Sequence, residues 1–130
     1  MKLIHCADLH LDSDMTSNLT KEKAKERRTE LLVTFQRMIT YAKENDVHHI
    51  LISGDLYDKK NISSTARNVF LTAVTDNQDI IFYYLKGNHD AESMFIGMNK
   101  IPDNLKLFGT EWTEYKITSE KDNNKIVISG

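Results

Sequence analysis

The 130-residue sequence predicts an α/β domain, because short apolar runs alternate with long helical stretches from the N-terminus onward. Three of these runs, at residues 2–6, 47–52 and 80–85, have the length and composition of buried strands. Each is followed at once by a cluster of polar residues. This order predicts parallel strands joined by crossover helices, with the polar clusters at the carboxyl ends of the strands.

Two helices separate the three predicted strands. The first is predicted at residues 21–45, where apolar side chains recur at helical spacing, namely Leu31, Leu32, Phe35, Met38, Ile39 and Ala42. The second is predicted at residues 63–75, with Ser63 or Ser64 as its N-cap. Beyond residue 90 we expect a short helix at 92–99 and strands at 105–108, 114–118 and 125–129, with a turn at 122–124.

Composition limits the function classes. The chain has 17 Lys and Arg against 19 Asp and Glu, a formal charge of −2, so no global positive field marks a nucleic-acid partner. The one cysteine, Cys6, cannot form an internal disulfide, which fits a reducing compartment. No signal-peptide core or membrane-length apolar run is present. We therefore expect a cytoplasmic protein without a membrane partner, in which residues 1–130 form one domain.

The polar clusters carry the chemistry. They comprise Asp8 and His10, then Gly54, Asp55 and Asp58, then Gly87, Asn88, His89 and Asp90. Carboxylate, imidazole and amide donors suit Mn²⁺, Fe²⁺ or Zn²⁺, and Asp55 can bridge two cations. Two such cations bind a phosphate oxygen and activate water near neutral pH. Each cluster alone is weak, but all three in this order, each after a predicted strand, favour a two-metal hydrolase site.

These motifs resemble the first three motifs of the calcineurin-like metallophosphoesterase family. The resemblance implies the N-terminal half of a four-layer αββα sandwich. It implies that Asp8, His10 and Asp55 hold one metal and that Asp55 and Asn88 hold the second. It further implies that His89 contacts the scissile phosphate and assists the leaving group, while Asp58 orients His89.

A finer resemblance is to bacterial DNA repair exonucleases, including the nuclease subunit that works with an SMC-like ATPase. It rests on residues 5–13, on the long charged helix that follows, and on residues 50–55. It implies a manganese-dependent nuclease that cleaves DNA phosphodiesters, with DNA and an SMC-like ATPase as partners. A homodimer is a further possibility, because a sheet edge left unpaired can associate with a second copy.

One departure from the family pattern concerns histidine. The family has further metal-binding histidines downstream, one of them in a Gly-His-x-His motif, whereas no histidine follows His89 here. We expect the chain to be the N-terminal part of a longer protein and to be inactive alone. The alternatives are a phosphatase or a small-molecule or nucleotide phosphodiesterase of the same family, and a non-catalytic binding module with a decayed site.

Some residues near the motifs receive lesser roles. The basic cluster of Lys21, Lys23, Lys25, Arg27 and Arg28 is interleaved with glutamates, which favours a solvated helix face over a DNA contact. Asp12 and Asp14 are expected in loop or capping roles. Tyr57 is expected either to line the cleft or to pack. Trp112 is expected in the core or at its edge.

Overall fold

The computed structural model describes residues 1–15, 18–58, 62–87, 92–95, 98–119 and 123–130. Its main feature is a four-stranded sheet in the order β1 (Ile4–Cys6), β2 (His49–Ser53), β3 (Ile81–Leu85) and β4 (Leu105–Phe108). All neighbouring pairs in this sheet are parallel. The predicted α/β class is therefore confirmed, as is the parallel pairing of the first three strands.

Two helices cover one face of the sheet. Helix α1 spans Lys21–Glu44 and helix α2 spans Ser64–Thr75. The strands follow one another in chain order, so right-handed crossovers place both helices on the same face. The alternation in β2 fits this arrangement, because Ile50 and Ile52 are buried under the helices while Leu51 packs on the other side.

Side-chain caps set the start of each helix. Thr20 accepts a hydrogen bond from the Lys23 backbone N–H, and Ser63 accepts one from the Ala66 N–H. The cap predicted at Ser63 is thus confirmed, because a hydroxyl oxygen satisfies one of the orphan donors in the first turn.

The core between sheet and helices is centred on Phe70, which is fully buried. Its ring lies 6.0 Å from that of Phe35 on α1 and 6.4 Å from those of Phe82 and Tyr84 on β3. Tyr57 packs edge-on against Phe70 at 6.5 Å and is itself fully buried. Of the two expectations for Tyr57, packing is the one found.

An antiparallel hairpin packs on the opposite face of the sheet. Its strands are β5 (Glu114–Thr118) and β6 (Lys125–Ser129), and its inner face joins Ile117 to Tyr83 and Phe108. Asn123 has a φ of 54° and donates its backbone N–H to the Ser119 carbonyl, which fits the turn predicted at 122–124. Asp122 of that prediction lies outside the described residues. A short 3-10 helix at Glu92–Phe95 stands in the region predicted as helical.

The expectation for Trp112 was wrong. Its side chain is 75% exposed in the connection between β4 and β5, where its indole N–H is 3.4 Å from Glu114 Oε1. The hairpin presents Tyr115 and Ile117, rather than this indole, to the sheet. The prediction used only the apolar character of Trp112. It failed because the periodicity of the following strand decides which side chains face inward.

Neither described helix has the length and hydropathy needed to cross a membrane.

Candidate metal centre

Three segments meet at the carboxyl edge of the sheet. Cys6 at the end of β1 pairs with Ile52, and Ser53 at the end of β2 pairs with Leu85 at the end of β3. The residues that follow these strands therefore start side by side. This is where open α/β sheets form their binding sites.

Backbone hydrogen bonds join the first two segments. The N–H groups of Asp8, His10 and Leu11 donate to the carbonyl oxygens of Gly54, Asp55 and Leu56 at 3.3, 3.0 and 2.9 Å. These bonds continue the pairing of β1 with β2 past the ends of the strands. They fix the positions of Asp8 and His10, along the strand direction, relative to Asp55.

The side chains of Asp8, His10 and Asp55 come together at this edge. Each offers one potential ligand atom, and these atoms all lie within 4.8 Å of one another. Asp8 is exposed, while His10 and Asp55 are half-buried. Two carboxylates and an imidazole at this spacing form a donor set that suits a divalent transition metal.

All three residues have a left-handed backbone. The φ angles are 54° at Asp8, 44° at His10 and 45° at Asp55. This region costs an L-residue on the order of 1 kcal/mol, although Asp and His enter it more readily than most. Outliers of this kind concentrate at functional sites, where the surrounding structure holds them. Here the backbone hydrogen bonds to residues 54–56 hold Asp8 and His10 in this conformation.

Gly87 provides room for the Asp55 carboxylate. A Cβ atom on Gly87 would overlap both Asp55 Oδ1 and the Asp55 backbone nitrogen. Gly54, with φ 82°, turns the chain just before Asp55 and donates its N–H to Leu85 at 2.8 Å. The two glycines therefore bring the second and third motifs into contact.

His10 is held from one side by Asp58. His10 Nδ1 is buried and lies 3.3 Å from Asp58 Oδ1. A carboxylate at this distance favours the tautomer that carries its proton on Nδ1, so that Nε2 keeps the lone pair that a metal requires. Asp58 was expected to orient His89; in the described residues it contacts His10.

Asp12 is the residue whose burial sequence reasoning missed. It lies in a turn, as the loop or capping role predicted, but its side chain is only 4% exposed. Its Oδ1 accepts a hydrogen bond of 2.6 Å from the Asp58 backbone N–H.

Two predicted site residues, Asn88 and His89, lie outside the described residues, as does Asp90. Gly87, immediately before them in the chain, contacts Asp55.

The groups near the sheet ends with clearly shifted pKa values are not members of the trio. Burial raises the pKa of the Cys6 thiol to about 11. At the opposite edge of the sheet, hydrogen bonds to the Asp79 carbonyl and the Asp46 carboxylate raise the pKa of His48. Burial, reinforced by His48, lowers that of His49. Both histidines lie at the start of β2, the end of the strand away from the trio.

Sequence comparison decides the family. The chain matches the calcineurin-like phosphoesterase profile over residues 1–129. It belongs to this family. A calcineurin-like phosphoesterase is a hydrolase of phosphate esters that binds divalent metals, and the Asp8, His10 and Asp55 cluster supplies a suitable donor set.

A relative in Bacillus subtilis strain 168, the uncharacterized metallophosphoesterase YhaO, is 31% identical over 121 residues. The match covers 89% of this phosphoesterase chain and 29% of the relative, so the chain spans less than a third of the relative's length.

Proposed function

We propose that this chain carries part of the active site of a manganese-dependent phosphodiesterase that cleaves DNA. The observation that supports hydrolysis most directly is the convergence of Asp8, His10 and Asp55 on one point at the sheet edge. Assignment to DNA rests on the resemblance to repair exonucleases and on the position of basic residues on α1.

The donor set divides between two ions in this proposal. Asp8, His10 and Asp55 hold the first ion, and Asp55 with Asn88 contributes to the second. Two bound divalent cations supply charge neutralisation for the phosphate and a nucleophile at neutral pH. His89 donates a proton to the leaving oxygen, and Asp58 supports the imidazole geometry around the site.

Additional ligands are required to complete both ions. No histidine follows His89 in the sequence, and the chain covers 29% of the YhaO relative. We therefore place the remaining ligands in sequence beyond residue 130, as the Gly-His-x-His pattern of the family suggests. In this proposal the chain alone binds metal weakly and does not turn over substrate.

The position of α1 supports a polyanionic substrate. The helix has 24 residues and is about 36 Å long, whereas the five-residue β2 is about 17 Å. Phe35, Ile39 and Ala42, in its C-terminal half, pack on the sheet. Because α1 follows β1, the residues before Phe35, here called the α1 extension, lie toward the carboxyl edge of the sheet, on the side of the metal centre.

Exposed lysines lie on that extension. Lys21, Lys23 and Lys25 are exposed and make no ion pair with any described residue, whereas Arg27 is paired with Glu30 at 2.6 Å. Arg28 donates to the Asp14 carbonyl and so ties the helix to the loop after β1. Three ammonium groups without an ion-pair partner among the described residues suit contacts to DNA phosphates.

A second candidate is a phosphodiesterase of small molecules or nucleotides. The overall charge of −2 favours it, because this enzyme needs no extended positive surface. The two candidates differ in one respect that can be measured. A nuclease depends steeply on salt, whereas a small-ester hydrolase does not.

The first experiment uses the protein carried through its whole reading frame. Hydrolysis of an aryl phosphodiester and of linear double-stranded DNA is measured with Mn²⁺ and with chelator, beside Asp55→Ala. We expect manganese-dependent DNA degradation that the substitution abolishes. Aryl ester turnover without DNA cleavage would move the assignment to the small-molecule enzyme. No turnover of either substrate would favour a non-catalytic binding module.

A second experiment tests the α1 extension. Lys21, Lys23 and Lys25 are changed together to Glu, and Lys43, Lys116 and Lys125, which lie away from the extension, form the control triple. The first variant should weaken DNA binding and reduce the slope of log K against log salt by about 0.9 per lost phosphate contact. Equal effects of both triples would rule out this surface as the DNA contact.

A further inference from the structure

The carboxylate of Asp12 occupies an unusual position for a charged side chain. It is 4% exposed, although aspartate is rarely this buried without a partner that compensates the lost hydration. Oδ1 has such a partner in the Asp58 N–H at 2.6 Å. Oδ2 is buried and has no hydrogen-bond donor in the described part of the chain.

Asp12 is linked to the metal centre through one intermediate residue, Asp58. Asp58, whose backbone N–H is held by Asp12, places its own Oδ1 3.3 Å from His10 Nδ1. Asp12 is thus linked to the imidazole without contacting it. The two segments joined by this bond are 46 positions apart in sequence.

The Asp12 bond also differs from the other bonds between these segments. Asp8, His10 and Leu11 bond to residues 54–56 through backbone atoms alone, which any sequence can supply. The side-chain bond from Asp12 extends the contact to Asp58, the residue that faces His10. The Asp58 carboxylate is 39% exposed, and the bond to Asp12 holds the backbone from which this carboxylate extends.

We propose that Asp12 is a positioning residue of the metal centre. By accepting the Asp58 N–H, it holds the Asp58 carboxylate against His10 and so fixes the orientation in which His10 presents its second nitrogen. The inference rests on the proposed binding of metal by Asp8, His10 and Asp55. Loss of a residue that orients a metal-binding histidine typically weakens metal affinity by about 10- to 100-fold.

The test separates positioning from stability through paired variants of the whole protein. Asp12→Ala removes the acceptor, whereas Asp12→Asn keeps a carbonyl oxygen for the Asp58 N–H. Asn104→Ala is the control for general destabilisation. Asn104 is buried like Asp12, and its amide nitrogen lies within 3.1 Å of three backbone carbonyls, of Val74, Asn77 and Ile80.

Mn²⁺ affinity and the electron paramagnetic resonance spectrum of the bound ion are measured for each variant, with thermal unfolding to confirm the fold. We expect at least about a tenfold loss of Mn²⁺ affinity in Asp12→Ala, with an altered spectrum. Asp12→Asn should bind like the parent protein, and Asn104→Ala should bind normally despite a lower Tm. A parent-like Asp12→Ala, or an equal loss in Asp12→Asn, would overturn the proposal.

A metal-free measurement keeps this inference distinct from the proposed function. With selective ¹⁵N labelling of aspartate, the Asp58 amide proton should resonate far downfield in the parent protein and in Asp12→Asn, and should move upfield in Asp12→Ala. A parent protein that binds Mn²⁺ and hydrolyses esters, beside an unaffected Asp12→Ala, would refute only the role of Asp12. Absence of Mn²⁺ binding in the parent protein would refute both proposals.

Discussion

The backbone at Asp8, His10 and Asp55 is strained at the three residues that we propose as metal ligands. Each has a positive φ, and none is a glycine. The sequence identified these residues by their chemical type and by their place after strands. It gave no sign of their left-handed conformation, because that depends on hydrogen bonds to a segment about 45 residues away.

Gly87 allows a sharp test at the residue scale. In Gly87→Ala, the new methyl group would overlap the Asp55 carboxylate and backbone, so Asp55 must shift. We expect overpacking to lower stability by about 1–3 kcal/mol, together with a clear loss of Mn²⁺ affinity in titration. Gly109→Ala is the matched control, because nothing lies within 4 Å of its added Cβ. Equal metal affinity in both variants would contradict this account of Gly87.

Cys6 should be unreactive while the protein is folded. Burial raises the pKa of its thiol from an ordinary 9.0 to about 11. At pH 8 its reaction with a disulfide reagent should therefore be on the order of a hundredfold slower than that of an unfolded control. Since the folded pKa is raised, ionisation favours unfolding, and stability should fall as pH rises from about 9 toward 11. Rapid labelling of the native protein at pH 8 would contradict this expectation.

At the scale of elements, the periodicity of apolar residues predicted the helices and strands better than the chemical types of individual residues did. The helix predicted at 21–45 and the strand predicted at 105–108 match α1 and β4 within one residue, because their apolar patterns are long or flanked by turn residues. The edges of β1 and β2 shifted by one or two positions. Such shifts arise because ladder hydrogen bonds to a neighbouring strand, which a local pattern does not contain, decide where pairing stops.

Phe70 joins α2 to its neighbours, so its removal should affect every element of the core. Phe70→Ala should lower the free energy of unfolding by about 3–5 kcal/mol. Phe70→Leu, which keeps most of the volume, should cost about 1.5 kcal/mol or less. Urea denaturation measures both. A loss in Phe70→Ala as small as that in Phe70→Leu would show that the ring contacts to Phe35, Phe82 and Tyr84 matter less than the distances suggest.

At the scale of the whole molecule, the two faces of the sheet carry different packing partners. Helices and the main core lie on one face, and the β5–β6 hairpin begins a layer on the other. The sequence predicted the parallel sheet and the clustering of its motifs at one edge. It could not predict the contacts of Asp12 with Asp58 and of Asp58 with His10, because these join two loops that no periodicity records.

Binding of metal should stabilise the whole fold, because the trio comes from both loops joined across the sheet edge. For an ion that binds only the folded state, a concentration of 100 times Kd adds about 2.7 kcal/mol. Tm should therefore rise with Mn²⁺ concentration and return to its starting value with chelator. In Asp55→Ala the rise should be absent. A rise that persists in this variant would place the ion elsewhere.

The pairing of residues 8–12 with residues 54–58 also has a consequence for the order of folding. The whole of α1 lies between these segments, so their hydrogen bonds are contacts of high sequence separation. Such contacts form only after the entropy of closing the intervening chain has been overcome. A nascent chain that has emerged only as far as α1 holds Asp8 and His10 without Asp55. Metal capture should therefore follow assembly of the sheet and report its completion, instead of acting as a nucleus around which the chain collapses.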